Sequence, residues 1–216
     1  MYILFGYPGA GKGTFADALK GNGYRHISTG DILREEVKKK TSIGLKYKKE
    51  IEASSHLLPT EVVESILLNR IKELIKKNDK LILDGFPKTI EQAKYLDELI
   101  DGHSLSQSVD IIYLDISMEQ ALARVQTRTA CSDCRKIYNS QTAKPMIAGK
   151  CDICGAPLFQ RTCDTKEGFR KRISLFNKTV KKTIDYYKSH GKLIRINADM
   201  PLKEFIEQVI DYDKAH

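Results

Sequence analysis

The sequence predicts an α/β protein in which a parallel sheet is flanked by helices, and three observations lead to this fold class. A glycine-rich segment, residues 6–14, lies between a short apolar run and a stretch with helical periodicity. A second apolar run ends in an aspartate, Asp84, which is followed by a glycine. Strand and helix patterns alternate along the 216 residues, which is typical of one α/β domain with small insertions.

The glycine-rich segment is typical of a phosphate-binding loop between a strand and a helix. Its glycines let backbone N–H groups surround an anion, and the positive end of the helix dipole adds to them. Lys12 supplies a charge for the outer phosphates. Gly13 stands where a hydroxyl residue is usual, and Thr14 follows one place later, which argues against direct coordination of magnesium by that hydroxyl. The alternative is a turn that binds nothing.

A second strand and helix follow this loop. Residues 25–27 have a strand pattern, and Asp31 or Thr29 is placed to cap the next helix. Arg34 falls in the first turns of that helix, near the strand ends where ligands of open α/β sheets bind. Taken alone, Arg34 is more readily interpreted as a surface arginine.

The stretch from Thr41 to Ser55 has a helical but very polar pattern, which predicts light packing. Another helix starts near Thr60, a candidate N-cap, and has an apolar face that includes Val63 and Ile71. A weakly packed helical excursion between two core elements is typical of a mobile insertion.

Two further features fit magnesium and phosphate chemistry. Asp84 ends a buried strand as a Walker-B aspartate does, where a carboxylate holds magnesium or its waters; the alternative is an ordinary Asp-Gly turn. Arg124 and Arg128 are four residues apart on a helix that a capping box at residues 117–120 is predicted to open. The two arginines then share a face and repel each other unless an anion lies between them. The alternative is a solvated face.

Four cysteines form the second strong motif. Cys131 and Cys134 make one C-x-x-C pair, and Cys151 and Cys154 make the other, with a polar, turn-rich segment between them. Four thiolates at this spacing fit one tetrahedral zinc ion and close its coordination sphere, so the predicted site is structural. The alternatives are two disulfides, which a cytoplasmic protein disfavours, and a redox site, which needs only one pair. Cys163 is interpreted as a free thiol.

Composition narrows the class of partner. The formal net charge of +8 favours a polyanion such as a nucleotide, a nucleic acid or a membrane surface, although the lysine runs are typical of solvated helix faces. No apolar stretch is long enough to span a bilayer, and no basic region precedes the N-terminal apolar run. We therefore expect a cytoplasmic protein without a membrane partner.

Taken together, these stretches resemble the adenylate kinase family, of the type with a zinc-binding lid. The resemblance spans the chain and depends on G-x-P-G-x-G-K-G-T at residues 6–14, S-T-G-D-x-L-R at 28–34, L-D-G-F-P at 83–87 and the four cysteines. It implies one P-loop NTPase-like core, residues 1–216, with two insertions. Residues 30–59 are the NMP-binding segment, called here the acceptor segment, and residues 127–164 are the zinc-ribbon lid, called here the lid. A glycine at position 13 is usual in this family.

The resemblance implies reversible transfer of a phosphoryl group from Mg-ATP to AMP, giving two ADP. Such a reaction needs positioning and charge neutralisation rather than a nucleophilic side chain. The implied catalytic residues are Lys12, Asp84, Arg124, Arg128, Arg161 and Arg172. The implied ATP-binding residues are Gly9, Ala10, Gly11, Lys12, Gly13, Thr14, Arg124 and Tyr138. The implied AMP-binding residues are Thr29, Arg34, Leu58, Gly85, Lys88, Gln92, Arg161 and Arg172.

The implied cofactors are magnesium, which enters with ATP, and structural zinc. Asp84, with Asp164 as a weaker candidate, would organise the magnesium shell, and Thr29 and Gln92 occupy the positions that contact adenine. The lid would close to exclude water from the reaction. We expect a monomer whose partners are ATP, AMP and ADP and not nucleic acid.

Three residues depart from the family pattern. Lys88 replaces an arginine, and because a lysine lacks the guanidinium fork, we expect weaker AMP binding. Thr129 stands where a second consecutive arginine is usual, and Cys163 replaces the first of two aspartates, which weakens a hinge contact of the lid and leaves Asp164 alone. The departures support an alternative function, a weakly active nucleotide sensor or a zinc-ribbon binding module. Another alternative is a kinase with a different base preference.

Overall fold

Five parallel strands form the central sheet of the computed structural model, which describes residues 1–54, 56–77, 79–102 and 109–216. The strands among these residues are β1 (Tyr2–Gly6), β2 (Arg25–Ser28), β3 (Leu81–Asp84), β4 (Asp110–Asp115), β5 (Arg128–Cys131), β6 (Ile137–Asn139), β7 (Leu158–Phe159) and β8 (Leu193–Asn197). The order across the central sheet is β2-β3-β1-β4-β8. The predicted parallel sheet is confirmed.

Helices connect the strands. They are α1 (Lys12–Ala18), α2 (Thr29–Lys38), α3 (Ser42–Lys46), α4 (Lys48–Ala53), α5 (Thr60–Lys76), α6 (Ile90–Asp101), α7 (Met118–Gln126), α8 (Lys166–Leu175), α9 (Lys181–Ser189) and α10 (Leu202–Ala215). A π-helical turn, Phe176–Val180, joins α8 to α9. None of the helices in the described part of the chain is long and apolar enough to cross a membrane.

Both faces of the central sheet are covered, which explains why the inner strands β1 and β3 are continuous apolar runs rather than alternating ones. Ile3 and Phe5 of β1 pack on one face with residues of α5, α6 and α9. Tyr2 and Leu4 point to the other face, where they pack with residues of α1, α8 and α10. The central strand β1 is buried along its whole length, so the loop that follows it starts from a rigid position.

The register of the sheet sets the position of the functional residues along the strand direction. Leu4 of β1 is level with Asp84 of β3, and Asp84 is level with Ser28 of β2. The glycine-rich loop after β1, the Asp84 carboxylate and the start of α2 therefore meet at the carboxyl edge of the sheet. This edge, beside the central strand, is where ligands of open α/β sheets bind.

The lid forms a separate antiparallel sheet with the order β6-β5-β7. Its buried cluster consists of Cys131, Tyr138 and Cys151, with Ala156 and Leu158 packed against it. So few apolar side chains supply little hydrophobic stabilisation, and a small unit of this kind needs a metal or disulfide staple.

Some local predictions are corrected by the structure. Ser28 caps α2, because its Oγ accepts a hydrogen bond from the Asp31 backbone N–H at 3.3 Å and Thr29 is already helical; neither Thr29 nor Asp31 is the cap. Thr60 is the first residue of α5 rather than its cap. Arg124 and Arg128 do not share a helix face, because α7 ends at Gln126 and Arg128 begins β5.

The polar stretch that was predicted as one helix forms two. They are α3 and α4, which meet at Tyr47, and Thr41 caps the first by accepting a hydrogen bond from the Gly44 N–H. Ser55, at the end of that predicted stretch, lies outside the described residues.

Candidate active site

A cleft of about 1380 Å³ opens at the carboxyl edge of the central sheet, between the core, the acceptor segment and the lid. It is lined by most of the residues predicted to bind nucleotides: Gly9, Gly11, Lys12, Gly13, Thr14, Arg34, Asp84, Gly85, Lys88, Arg124, Arg128, Tyr138, Arg161 and Arg172. Four other predicted residues are buried and do not line it: Ala10, Thr29, Leu58 and Gln92. The sequence motifs thus converge on one site although they are spread over the chain.

The glycine-rich loop takes a shape that side chains would prevent. Gly9 has a φ of 91°, and a Cβ there would lie 2.5 Å from the Ala121 carbonyl oxygen of α7. Gly11, with a φ of 98°, precedes the first turn of α1. The loop therefore packs against α7 and directs the N-terminus of α1 at the cleft, which is the arrangement of a phosphate site.

Lys12 folds back over this loop. Its Nζ donates hydrogen bonds to the carbonyl oxygens of Gly6 at 2.9 Å and Tyr7 at 3.2 Å. Burial lowers the pKa of the Lys12 ammonium, and the positive charges of Arg172 and Arg128 lower it further. An anionic ligand in the cleft would relieve that repulsion and raise the pKa of Lys12 again.

Asp84 ends β3 at the floor of the cleft, with its carboxylate 3.8 Å from Nε2 of His26. Burial raises the pKa of Asp84, but the nearby His26 side chain and the charge of Lys12 outweigh burial, so the pKa lies below its ordinary value. Asp84 is thus an ionised carboxylate at neutral pH. A hard oxygen ligand of this kind suits Mg²⁺, which is held through few carboxylates and several waters.

Asp164 joins two of the arginines that line the cleft. Its carboxylate, which is fully buried, accepts a hydrogen bond from Nε of Arg128 at 2.8 Å and one from Nη1 of Arg172 at 3.2 Å. Both Asp164 oxygens are engaged in this way. The structure therefore places Asp164 as the residue that orients the two guanidinium groups.

Arg161 is held with fewer partners. Its buried Nε has no hydrogen-bond partner among the described residues, and its Nη2 lies 3.7 Å from Asp31. Burial and the charges of Arg34 and Arg128 lower the pKa of Arg161 to about 10. An under-compensated cation with an unpaired buried donor is suited to a phosphate.

The acceptor side of the cleft has a second unpaired group. Thr29 is 2% exposed, and its Oγ1 has no hydrogen-bond partner among the described residues. Gly85 lies against it with a φ of 84°, and Gln92 Oε1 accepts a hydrogen bond from the Lys88 N–H at 2.8 Å. Burial, followed by the charges of Arg172 and Lys12, lowers the pKa of Lys88 to about 8.

The four predicted metal ligands form a cluster in the lid. The sulfur atoms of Cys131, Cys134, Cys151 and Cys154 all lie within 4.8 Å of one another. Two pairs of them are 3.4 Å apart, close to the separation of about 3.8 Å that follows from four Zn–S bonds of about 2.3 Å in a tetrahedron. None of the five cysteines forms a disulfide. The cluster is compatible with one structural zinc ion.

Tyr138 belongs to this cluster as much as to the cleft. Its hydroxyl lies 3.4 Å from the Cys151 sulfur and accepts a hydrogen bond from the Asp152 N–H at 2.8 Å. The hydrogen bond from Tyr138, ahead of those from nearby backbone N–H groups, lowers the pKa of the Cys151 thiol to about 6. A thiol that ionises easily is ready to bind a metal ion.

Comparison with known proteins decides the family. The family model for adenylate kinase matches residues 4–192. The chain belongs to the adenylate kinase family. It is 39% identical to an adenylate kinase of Thermosipho africanus and 38% identical to one of Thermosipho melanesiensis, over 97% and 98% of both chains respectively. It is also 40% identical to an adenylate kinase of Caldicellulosiruptor bescii, over 89% of this chain and 88% of that one.

The family resemblance predicted from the motifs is thereby confirmed. The match extends over the core, the acceptor segment and the lid, and it gives no support to the alternative of a sensor or a zinc-ribbon binding module. For an adenylate kinase, the cleft has the expected composition, with cations around a phosphate loop and a cysteine cluster in the lid.

Cys163, a departure from the family pattern, lies at the base of the lid. It is buried, and its sulfur is 3.8 Å from Asp164 and 3.9 Å from Arg172. It is not part of the four-cysteine cluster. Thr129, the other departure in the lid, lies in β5 opposite Tyr138.

His26 and Asp31 are among the cleft-lining residues that were not assigned from the sequence. His26 pairs with Asp84, and Asp31 accepts from Nη2 of Arg34 at 2.6 Å and also approaches Arg161. His26 is the second of the four residues of β2, so its place in the strand gave little indication that it would line the cleft. Asp31 was considered only as a helix cap.

Proposed function

We propose that this chain carries out the reaction of its family, the reversible conversion of ATP and AMP into two ADP, with the cations of the cleft as its main catalytic groups. The observation that carries this proposal is that two buried atoms of the predicted acceptor site, Arg161 Nε and Thr29 Oγ1, have no hydrogen-bond partner among the described residues. One suits a phosphate oxygen, and the other suits the acceptor nucleotide. Because Arg161 and Thr29 are far apart in the sequence, no single local feature of the chain explains why both atoms lack a partner.

Phosphoryl transfer spreads negative charge over the transferred group, and catalysis consists of positioning and charge neutralisation. Lys12 and the amides of residues 9–14 would hold the donor phosphates. Arg124, fixed by a hydrogen bond from Nη2 to the Met200 carbonyl oxygen at 3.0 Å, would hold the donor side. Arg128 and Arg172, oriented by Asp164, would neutralise the transferred group.

The acceptor monophosphate would lie between Arg34, Lys88 and Arg161, with its base against Thr29, Leu58, Gly85 and Gln92. Asp84 would hold Mg²⁺ through its waters. Magnesium supplies charge neutralisation at the donor phosphates when it is bound. The acceptor segment and the lid, each attached to the core at its two ends, would close over the nucleotides and exclude the water that could otherwise accept the phosphoryl group.

The direct test is ADP formation from Mg-ATP with AMP, GMP, CMP or UMP as acceptor. A coupled enzymatic assay measures the rate at which ADP forms. We expect turnover with AMP that exceeds turnover with the other three. Equal turnover with another acceptor would favour a kinase of different base preference, and turnover no greater than the enzyme-free background would refute the proposed function.

We further propose that the chain works as a cytoplasmic monomer without nucleic-acid or membrane partners. The support for the compartment is the thiol cluster, because paired cysteines kept as metal ligands are typical of reducing compartments. Light scattering after size-exclusion chromatography tests the oligomeric state, and a mass of about twice 24.5 kDa would contradict a monomer.

A further inference from the structure

The two C-x-x-C pairs of the lid end in turns of the same shape but different sequence. The residue after Cys154 is Gly155, with a φ of 73°, whereas the residue after Cys134 is Arg135, with a φ of 63°. The left-handed conformation is unstrained for glycine and costly for a residue with a Cβ. Glycine therefore suits the second turn, whereas in the first turn the same conformation is adopted by an arginine. A contact of the Arg135 side chain would offset the cost of its left-handed backbone.

That contact crosses the cleft. Arg135 Nη2 donates a hydrogen bond to Oε2 of Glu35 on α2 at 2.7 Å, although the two residues are 100 positions apart. The side chains are 22% and 39% exposed, so the pair is partly shielded from water. The hydrogen bond from Arg135, ahead of the charge of Lys39, keeps the pKa of Glu35 below its ordinary range.

A second contact joins the same two elements. Lys38 of α2 lies 3.3 Å from the Asp133 carboxylate. Glu35 and Lys38 are three residues apart and therefore share a face of α2. The first cysteine turn of the lid thus rests on one face of a helix of the acceptor segment, and Arg135 also lines the cleft beside it.

We propose that Arg135 is a positioning residue whose ion pair with Glu35 couples the lid to the acceptor segment, so that a donor nucleotide bound under the lid strengthens AMP binding. The inference rests on the proposed function, because it assigns the two sides of the cleft to donor and acceptor. Coupling of this kind requires a contact that exists only when both mobile units are in place, and the Arg135–Glu35 pair spans them.

The test is the dissociation constant of AMP, measured by calorimetry on the zinc-loaded full chain, without and with a saturating non-hydrolysable ATP analogue and Mg²⁺. The ratio of the two constants measures the coupling. We expect the ratio to exceed one in the native chain and to fall about two- to fivefold in Arg135→Gly and in Glu35→Gln, which is the range for a partly exposed ion pair.

Lys39→Gln is the matched control. Lys39 lies 3.5 Å from the same Glu35 carboxylate but belongs, like Glu35, to the acceptor segment, so its loss should leave the ratio unchanged. Arg135→Gly keeps a residue suited to the left-handed turn, so the midpoint of thermal unfolding should not fall. The KM for AMP should rise without a fall in kcat. The double variant should lose no more coupling than either single variant.

A native ratio of one, an unchanged ratio in Arg135→Gly, or an equal loss in Lys39→Gln would overturn the inference. If both kcat and the midpoint of thermal unfolding fell in Arg135→Gly, Arg135 would have a structural role only. Failure of the proposed function is distinguishable, because the native chain would then form no ADP above the enzyme-free background in the coupled assay. Failure of the inference alone leaves that turnover intact and the two nucleotides bound independently.

Discussion

The central sheet and the lid are stabilised by different means. The inner strands β1 and β3 of the sheet are almost wholly inaccessible to solvent; Ile3 and Ile82, for example, are 0% exposed. Each face of the sheet is covered by helices. The lid has one small buried cluster around Cys131, Tyr138 and Cys151, and it exposes Met146, Ile147 and Ile153. Hydrophobic burial stabilises the first, whereas the second has a four-cysteine cluster that is compatible with a stabilising zinc ion.

Because the sheet and the lid are stabilised differently, we expect the residues that stabilise the fold to be largely different from those that serve catalysis. Removal of a buried core side chain should destabilise the protein, whereas Arg161, a lid cation that is repelled by Arg34 and Arg128, should be replaceable without loss of stability. We expect the lid to move as a unit, because its buried apolar cluster is small and separate from the two clusters of the core. Four substitutions test this separation, in order of decreasing effect.

Arg161→Met should abolish most activity without destabilising the protein. We expect kcat/KM to fall by about 10³- to 10⁵-fold, as for a transition-state arginine, with an unchanged or higher midpoint of thermal unfolding. The reason is that Arg161 is repelled by Arg34 and Arg128 and has an unpaired Nε. Arg195→Met, which removes an exposed arginine outside the cleft, should change neither quantity. A large fall in the midpoint for Arg161→Met would show that the residue is structural.

Leu83→Ala should have the largest effect on stability. Leu83 is 1% exposed in β3, and truncation of a buried leucine costs about 2–5 kcal/mol through lost burial and the cavity left behind. Urea denaturation measures this loss. Ile153→Ala in the lid, at 68% exposure, should cost less than about 0.5 kcal/mol. Similar losses for the two variants would contradict the distinction between core and lid.

Tyr138→Phe should weaken metal binding and leave the core intact. The variant loses the hydroxyl that contacts the Cys151 sulfur, and loss of such an outer partner of a metal ligand typically lowers affinity by about 10- to 100-fold. Competition with a chromogenic chelator measures the affinity for zinc. Tyr212→Phe is the control, since the Tyr212 hydroxyl bonds to Asp110 of the core at 3.0 Å, and its zinc affinity should equal that of the native chain.

Lys88 should give AMP binding a pH dependence. Its pKa is lowered to about 8, so the ammonium is charged below that pH and loses its charge above it. In the free enzyme, kcat/KM for AMP should therefore fall about twofold at pH 8 and up to about tenfold near pH 9. Lys88→Arg should remove this fall and lower the KM for AMP. An unchanged or raised KM in that variant would refute the predicted weakness of the lysine.

Motifs with a fixed local spacing were recoverable from the sequence. The loop at residues 6–14 and the four cysteines were predicted because each depends on backbone shape or ligand distance over a few residues. Predictions that assumed continued helix were less successful: Arg128 was expected on α7, but it begins β5. The chain leaves α7 there and enters the lid sheet. Helical periodicity alone does not indicate where a helix ends and a strand begins.

The sequence by itself determined the parallel core, the phosphate loop and the metal ligands, because hydrophobic pattern and short-range spacing encode them. Only the tertiary structure decided which charges meet. Asp164 orients Arg128 from 36 residues away, and Glu35 meets Arg135 across 100 residues. The physical reason is that an ion pair needs two side chains within a few ångströms, and the folded path of the chain sets that distance.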